Sequence, residues 1–327
     1  MFPTFRFLPP RLTRLPCQTR GLARVTGHIH GSDVVPVELS YTSIVPENGN
    51  ATEGPLVIVH GLFGSKRNWG SICKALHRDM PDRPIYALDL RNHGTSPHVK
   101  PHTYEAMARD VEKFIEEKGL KDVALLGHSM GGKTAMAYAL STKERNVPPG
   151  TLSKLIVVDI APSIGSLSPE FKKYTEAMQK IEDLPAGVIK TRTDADHRLR
   201  AYEEDMSVRQ FLLTNLHLPS HSRTAKHDGS PEKAKFIVPL SILSHSIGDL
   251  GSFPYQYNAE DNTVPVTWDG PTLALKGTKS AYINRKNIPA LNAFFPNVRL
   301  EELDTGHWVH AEKPTEFRKL VVDFLNQ

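Results

Sequence analysis

Three side chains could together open an acyl bond: a serine at 129, an aspartate at 159 and a histidine at 307. A serine hydroxyl is too weakly acidic to attack a carbonyl unaided. An imidazole must take its proton and later return it to the leaving group. A buried carboxylate must hold that imidazole in one tautomer and stabilise its cation. Ser129 lies in Gly127-His128-Ser129-Met130-Gly131, a Gly-x-Ser-x-Gly signature followed by Gly132 and Lys133. An apolar run over 123–126 leads in, and a helix-forming run over 134–140 leads out. Strand, sharp turn and helix is the context in which this motif becomes a nucleophile elbow. The turn is tight enough to strain the serine backbone, so the residues passing beside it must lack a side chain.

The rest of the chain supplies the elements such a group needs. Short apolar stretches at 56–59, 85–88, 123–126, 155–158, 272–276 and 298–303 alternate with helical ones at 68–76, 104–118 and 312–325. Residues 36–42 alternate like a half-exposed strand. On 104–118, Met107, Val111, Phe114 and Ile115 form one apolar stripe. This pattern predicts an α/β fold with a mainly parallel sheet covered on both faces. The alternation breaks over about 162–268, which reads as an inserted helical lid with patches at 170–181 and 194–213 and a Pro/Gly/His-rich stretch at 219–231. Ligands of parallel α/β sheets sit beyond the carboxyl ends of the strands. Ser129, Asp159 and His307 each follow such a strand. So does His60-Gly61-Leu62-Phe63-Gly64, where the donors for a tetrahedral oxyanion belong. The expected donors are the backbone N–H of Leu62 or Phe63 and that of Met130, with the Leu62 and Phe63 side chains lining an acyl pocket.

Five blocks carry a specific resemblance. They are His60-Gly-Leu-Phe-Gly-Ser65, Asp89-Leu-Arg-Asn-His-Gly-Thr-Ser96, Gly127-His-Ser-Met-Gly-Gly-Lys133, Val158-Asp-Ile-Ala-Pro162 and Gly306-His-Trp-Val-His-Ala-Glu312. With them the chain resembles the α/β-hydrolase superfamily over residues 34–325. Within that superfamily it is similar to the mitochondrial abhydrolase-domain-containing protein 11 group, which is related to bacterial esterases and the yeast ethanol acetyltransferase. The order Ser, Asp, His is the one that superfamily uses. The resemblance implies a serine hydrolase acting on carboxylic esters or thioesters through an acyl-enzyme, with acyl transfer to alcohols where an alcohol replaces water. Many superfamily members place the acid after the strand that follows the lid. Here Ser280 stands in that loop, and no Asp or Glu occurs from 271 to 300. The resembled group places its acid after the strand following the elbow, which is Asp159. Asp304, three residues before His307, is the rival, and Ser280 becomes an auxiliary hydrogen-bonding group.

The remaining candidates have plainer readings. His60 and His128 read as hydrogen-bonding residues beside the site, His93 as part of a turn near the elbow, and His310 as a neighbour of His307. His217, His221 and His227 lack metal-ligand spacing, and the glycine-rich elbow matches neither a phosphate loop nor a dinucleotide fingerprint, so no metal or cofactor is expected. Lys133 reads as structural, with an activated amine as the alternative. Phe211, Leu212, Leu213, Phe236 and Phe253 either line an apolar tunnel or pack the lid on the body. A carboxylate-nucleophile hydrolase is disfavoured by Ser129; a carbon–carbon hydrolase would share the triad.

At 327 residues, 39% hydrophobic and 23% charged, the chain suits a globular protein of one large α/β domain with an insertion, or of two small domains. No apolar stretch approaches a membrane span, and two cysteines, Cys17 and Cys73, indicate no disulfide framework. The net charge of +4 depends on Arg6, Arg11, Arg14, Arg20 and Arg24; without them the balance is −1 and nothing suggests a nucleic-acid partner. Residues 1–27 are Arg-rich and acid-free, which is the composition of a mitochondrial presequence, and leave 28–327 as the hydrolase domain. The expected place is the mitochondrial matrix and the expected partner a small ester or thioester. The reading from another class is a matrix interaction or protective protein with a protein partner and weak hydrolase activity.

Overall fold

The stretch Leu56-Val-Ile-Val59 is apolar at every position because both faces of its strand are covered. Side chains alternate along a strand, so Leu56 and Ile58 enter one hydrophobic cluster while Val57 and Val59 enter another. The same split runs through Leu126, Ile156 and Val158 against Leu125, Leu155 and Val157. The computed structural model describes residues 34–47, 49, 51–165, 169–218 and 233–327. The presequence reading at 1–27 and the stretch 219–231, with His221 and His227, lie outside these residues.

In chain order the elements are β1 (Tyr41–Ile44), β2 (Leu56–Val59), α1 (Gly70–Asp79), β3 (Ile85–Leu88), α2 (Tyr104–Glu117), β4 (Val123–His128), α3 (Met130–Glu144) and β5 (Leu152–Val158). Then come α4 (Pro169–Glu182), α5 (Arg192–Leu199), α6 (Met206–Leu213), β6 (Leu216–His217), β7 (Lys235–Phe236) and α7 (Leu240–Leu250). The chain closes with β8 (Thr272–Gly277), α8 (Ile288–Phe294), β9 (Val298–Leu303), α9 (Val309–Glu312) and α10 (Pro314–Leu325). Seven strands form one sheet in the order β1-β3-β2-β4-β5-β8-β9. Every pairing in it is parallel except the edge pair β1–β3. Helices α2 and α3 cover one face, with α4 to α7 continuing that cluster; α1 and α10 cover the other. β6 and β7 pair with each other, and the segment between β5 and β8 adds no described strand to the main sheet. Among the described residues no helix is long and apolar enough to cross a membrane.

Local chemistry sets the boundaries. The Thr103 hydroxyl accepts from the Ala106 N–H and starts α2, and Pro314 opens α10 with a preset φ. α3 is buried at every position from Met130 to Leu140, which makes it the central helix behind the elbow. Two expectations need correction. The helical patch at 194–213 is two helices, because Asp205 caps a fresh start by accepting from Ser207 N (2.7 Å). The first strand begins at Tyr41 rather than 36, because side chains take the earlier N–H groups: Val37 donates to Asp110 Oδ1 (2.7 Å) and Ser40 to Ser96 Oγ (2.8 Å).

Candidate active site

β4 ends at His128, and the chain must reverse into α3 within one residue. Ser129 does so at φ 53°, ψ −118°, a region that costs an L-residue on the order of 1–3 kcal/mol. The surroundings permit no relaxation. A Cβ on Gly127 would lie 2.2 Å from the Gly131 carbonyl, and one on Gly131 would lie 2.5 Å from the His60 carbonyl. Elbow, α3 and the loop after β2 are therefore packed backbone against backbone, and Ser129 N–H donates to Val158 O (3.0 Å) on the neighbouring strand.

Asp159, the first residue beyond β5, is fully buried. Its Oδ1 accepts from the Gly277 N–H (3.0 Å), and its Oδ2 from His307 Nδ1–H (2.7 Å) and the Ser280 hydroxyl. His307, in the loop after β9, turns its Nε2 to the Ser129 hydroxyl at 3.0 Å. The three candidate side chains thus form one continuous chain of hydrogen bonds across 178 residues of sequence. Asp304 does not join it: that carboxylate is 73% exposed and pairs with Lys279 (3.0 Å).

The loop after β2 needs one correction. The Phe63 N–H donates to His93 Nε2 (3.2 Å) and is not free for an oxyanion. Phe63 takes a left-handed φ of 61°, and its carbonyl accepts from Asn215 Nδ2 (2.7 Å). Among the described residues no acceptor meets the Leu62 N–H, and Met130 N–H is the first of the unpaired donors at the start of α3. Leu62 and Met130 are the remaining pair. His60 locks the same loop, donating from Nδ1 to Gly61 O (2.8 Å) and accepting at Nε2 from Leu90 N–H (3.0 Å). His128 donates from Nε2 to the His307 carbonyl (3.0 Å) and so holds the loop bearing His307 in place. Burial lowers the pKa of His60, His93 and His128 and holds His310 down at about 3, so these rings act as neutral hydrogen-bonding groups. His310 stacks on Trp69 with ring centres 4.2 Å apart.

A cavity of about 210 Å³ opens over Ser129, with Leu62, Phe63, Phe211, Leu212 and Trp308 among its walls. Leu213, Phe236 and Phe253 are buried in the core cluster instead. A second cavity of about 170 Å³ meets Ser129 from the side of Lys133.

Residues 54–314 match the model of a family described as alpha/beta hydrolase fold. The chain belongs to that family. It is 37% identical to the sn-1-specific diacylglycerol lipase ABHD11 of Danio rerio, over 89% of this chain and 83% of that one. It is 35% identical to a protein of Saccharomyces cerevisiae named as a probable alcohol acetyltransferase, over 90% of this chain and 84% of that one. A solved marine microorganism esterase superposes with a TM-score of 0.72 at 33% identity, covering 88% of this chain and 99% of the esterase. In this alpha/beta hydrolase two neighbours of the site carried no sequence signal. The Tyr282 ring lies 4.2 Å from the His307 ring, and the Gly277 N–H reaches Asp159. Only the position of Tyr282, two residues beyond Ser280, could have drawn attention to it.

Proposed function

We propose that the protein is a serine hydrolase of carboxylic esters or thioesters that works through an acyl-enzyme. The observation that carries this reading is the unbroken relay from Asp159 through His307 to Ser129, with contacts of 2.7 and 3.0 Å, opening on an apolar cavity. Ser129 Oγ attacks the substrate carbonyl while His307 Nε2 takes its proton. The carbonyl oxygen becomes an anion held by the N–H groups of Leu62 and Met130. His307 returns the proton to the leaving alcohol or thiol, whose bond to the acyl carbon breaks. Water then attacks the acyl-Ser129 with its proton passing to His307, and Ser129 is released with the acid product. An alcohol in place of water gives a new ester. Asp159 fixes the His307 tautomer and faces the imidazolium, and Ser280 and Gly277 orient Asp159 by donating to it. The lipase, esterase and acetyltransferase names of the relatives support ester chemistry of this kind.

The domain reading belongs with this proposal: 28–327 as the hydrolase domain, about 162–268 as its lid, and 1–27 as a presequence directing the chain to the mitochondrial matrix. The acid-free, Arg-rich composition of 1–27 supports the last. The test is acyl release from p-nitrophenyl acetate, butyrate and octanoate by wild type and Ser129→Ala, with and without ethanol, alongside labelling by a fluorophosphonate probe. Ser129-dependent release and labelling are expected. A folded protein inert to both the esters and the probe would replace this reading with a matrix interaction protein.

A further inference from the structure

Two cavities flank the candidate nucleophile, and their polar walls differ in sign. Ser129, Leu62, Phe171 and Tyr282 line both. The larger carries Glu170 and Glu203; the smaller contains no carboxylate and is walled by Lys133, Tyr104 and Asn287. Lys133 sits one turn into α3 and is 5% exposed. Its Nζ donates to the carbonyls of Ser163 and Ser252 (2.8 Å each) and lies 5.3 Å over the Tyr104 ring. An ammonium has three N–H groups, so these carbonyls leave one donor over. No carboxylate among the described residues forms an ion pair with it. Removing an ammonium from water without a counter-ion costs several kcal/mol, and two carbonyl dipoles and a ring face compensate only in part.

Resting on the hydrolase reading, we infer that the Lys133 chamber is a subsite for a carboxylate carried by the substrate, one acyl-bond length or a few from the ester. An anion entering there meets the remaining N–H of Lys133 and completes its pairing, whereas the described walls of the larger cavity hold no lysine or arginine. The substrate class is therefore a short ester or thioester bearing an acid group, with its uncharged arm in the larger, apolar cavity. Burial lowers the Lys133 pKa to about 8, so the cation persists at neutral pH and is lost above it; the groups facing it are the two carbonyls and the Tyr104 phenol.

The test compares ethyl hemisuccinate, with its carboxylate on the acyl side, and O-butyrylglycolate, with its carboxylate on the alcohol side, each against its own neutral primary amide. Binding is measured by calorimetry on Ser129→Ala, so that the result does not depend on turnover. At least one carboxylate should bind tenfold or more tighter than its amide, and adding Lys133→Gln should remove that preference. Equal binding of acid and amide in both arms, or a preference that survives Lys133→Gln, overturns the inference. If the double variant does not fold, pH decides. The preference in Ser129→Ala should fall about tenfold between pH 7 and pH 9 as a group of pKa about 8 loses its charge, and a constant preference overturns the inference. Hydrolysis of the neutral amides by wild type, lost in Ser129→Ala, tests the hydrolase reading separately.

Discussion

At the scale of single residues, the proposed chemistry depends on three side chains whose contacts are short and whose surroundings prevent them from drifting. Ser129→Ala removes the proposed attacking oxygen and its hydrogen bond to His307 but leaves the apolar packing unchanged. It should lower turnover by at least ~10³-fold while the thermal midpoint stays close to that of wild type, since members of such a triad act as a unit. Activity near wild type in this variant would end the mechanism. Asp159→Asn should cost about 10⁴-fold in kcat by favouring the wrong His307 tautomer. Asp304→Asn should cost little, because that carboxylate is exposed and pairs with Lys279. Steady-state kinetics of the two variants side by side would show the reverse order if the acid were misassigned. Ser280 donates to the Asp159 oxygen that also faces His307, so Ser280→Ala should lower kcat by roughly tenfold with KM little changed, the cost of one charge-assisted hydrogen bond.

At the scale of elements, the loop after β2 is held by groups outside itself. His93 takes the Phe63 N–H, Asn215 reaches the Phe63 carbonyl from the end of α6, and Phe63 is kept in a left-handed conformation between them. This couples the loop bearing Leu62 to the segment between β5 and β8. His93→Ala leaves a buried N–H without an acceptor and should destabilise the fold by about 1–3 kcal/mol. It should also lower kcat more than it raises KM, because in the proposed mechanism Leu62 N–H meets charge that exists only in the transition state. Urea unfolding and steady-state kinetics check both, and a pure stability loss with unchanged kcat would detach His93 from the oxyanion loop. The elbow offers a sharper steric prediction. Gly131→Ala must push a methyl to 2.5 Å from the His60 and Val59 carbonyls, which are backbone and cannot yield, so the variant should express poorly or lose activity along with its thermal midpoint.

At the scale of the whole molecule, the buried imidazoles set a pH limit on stability. Burial depresses the pKa of His60, His93, His102, His128 and His310 below the ordinary imidazole value of 6.5, to about 3 for His102 and His310. The unfolded chain binds protons at these rings from about pH 6.5 downward, whereas the folded one takes them up only at lower pH, near pH 3 for His102 and His310. Their contribution is therefore complete above pH 6.5 and is lost as pH falls through that window, at up to about 1.4 kcal/mol per pH unit for each fully buried ring. Asp110 opposes the trend: desolvation raises its pKa although Arg91 pairs with it, so it resists acid loss. Desolvation raises the Glu112 and Glu182 carboxyls as well, but five buried rings against three carboxylates leave the balance with the rings. The urea midpoint should fall clearly between pH 7 and pH 5, and a flat profile would mean that water reaches the rings.

The local pattern of the chain was enough for the alternation of apolar strands with helices, the elbow between 127 and 131, and the placement of Ser129, Asp159 and His307 at strand ends. These follow from periods of 2 and 3.6 and from the glycines a tight turn demands, which are properties of neighbouring residues. Which acid faces His307 was open, because Asp159 and Asp304 each follow a strand; the parallel pairing of β5 with β8 and of β8 with β9 puts Asp159 beneath the histidine and leaves Asp304 facing solvent. The choice between Leu62 and Phe63 was open for the same reason. It turns on an acceptor from His93, 30 residues away, that no local pattern encodes. The split of 194–213 into two helices rests on a cap competing with helix propensity, and the reach of Tyr282 to His307 on two loops meeting at one end of the sheet. Periodicity is written in the order of the residues. Contact between distant loops is decided only when the sheet assembles and brings the carboxyl ends of its strands together.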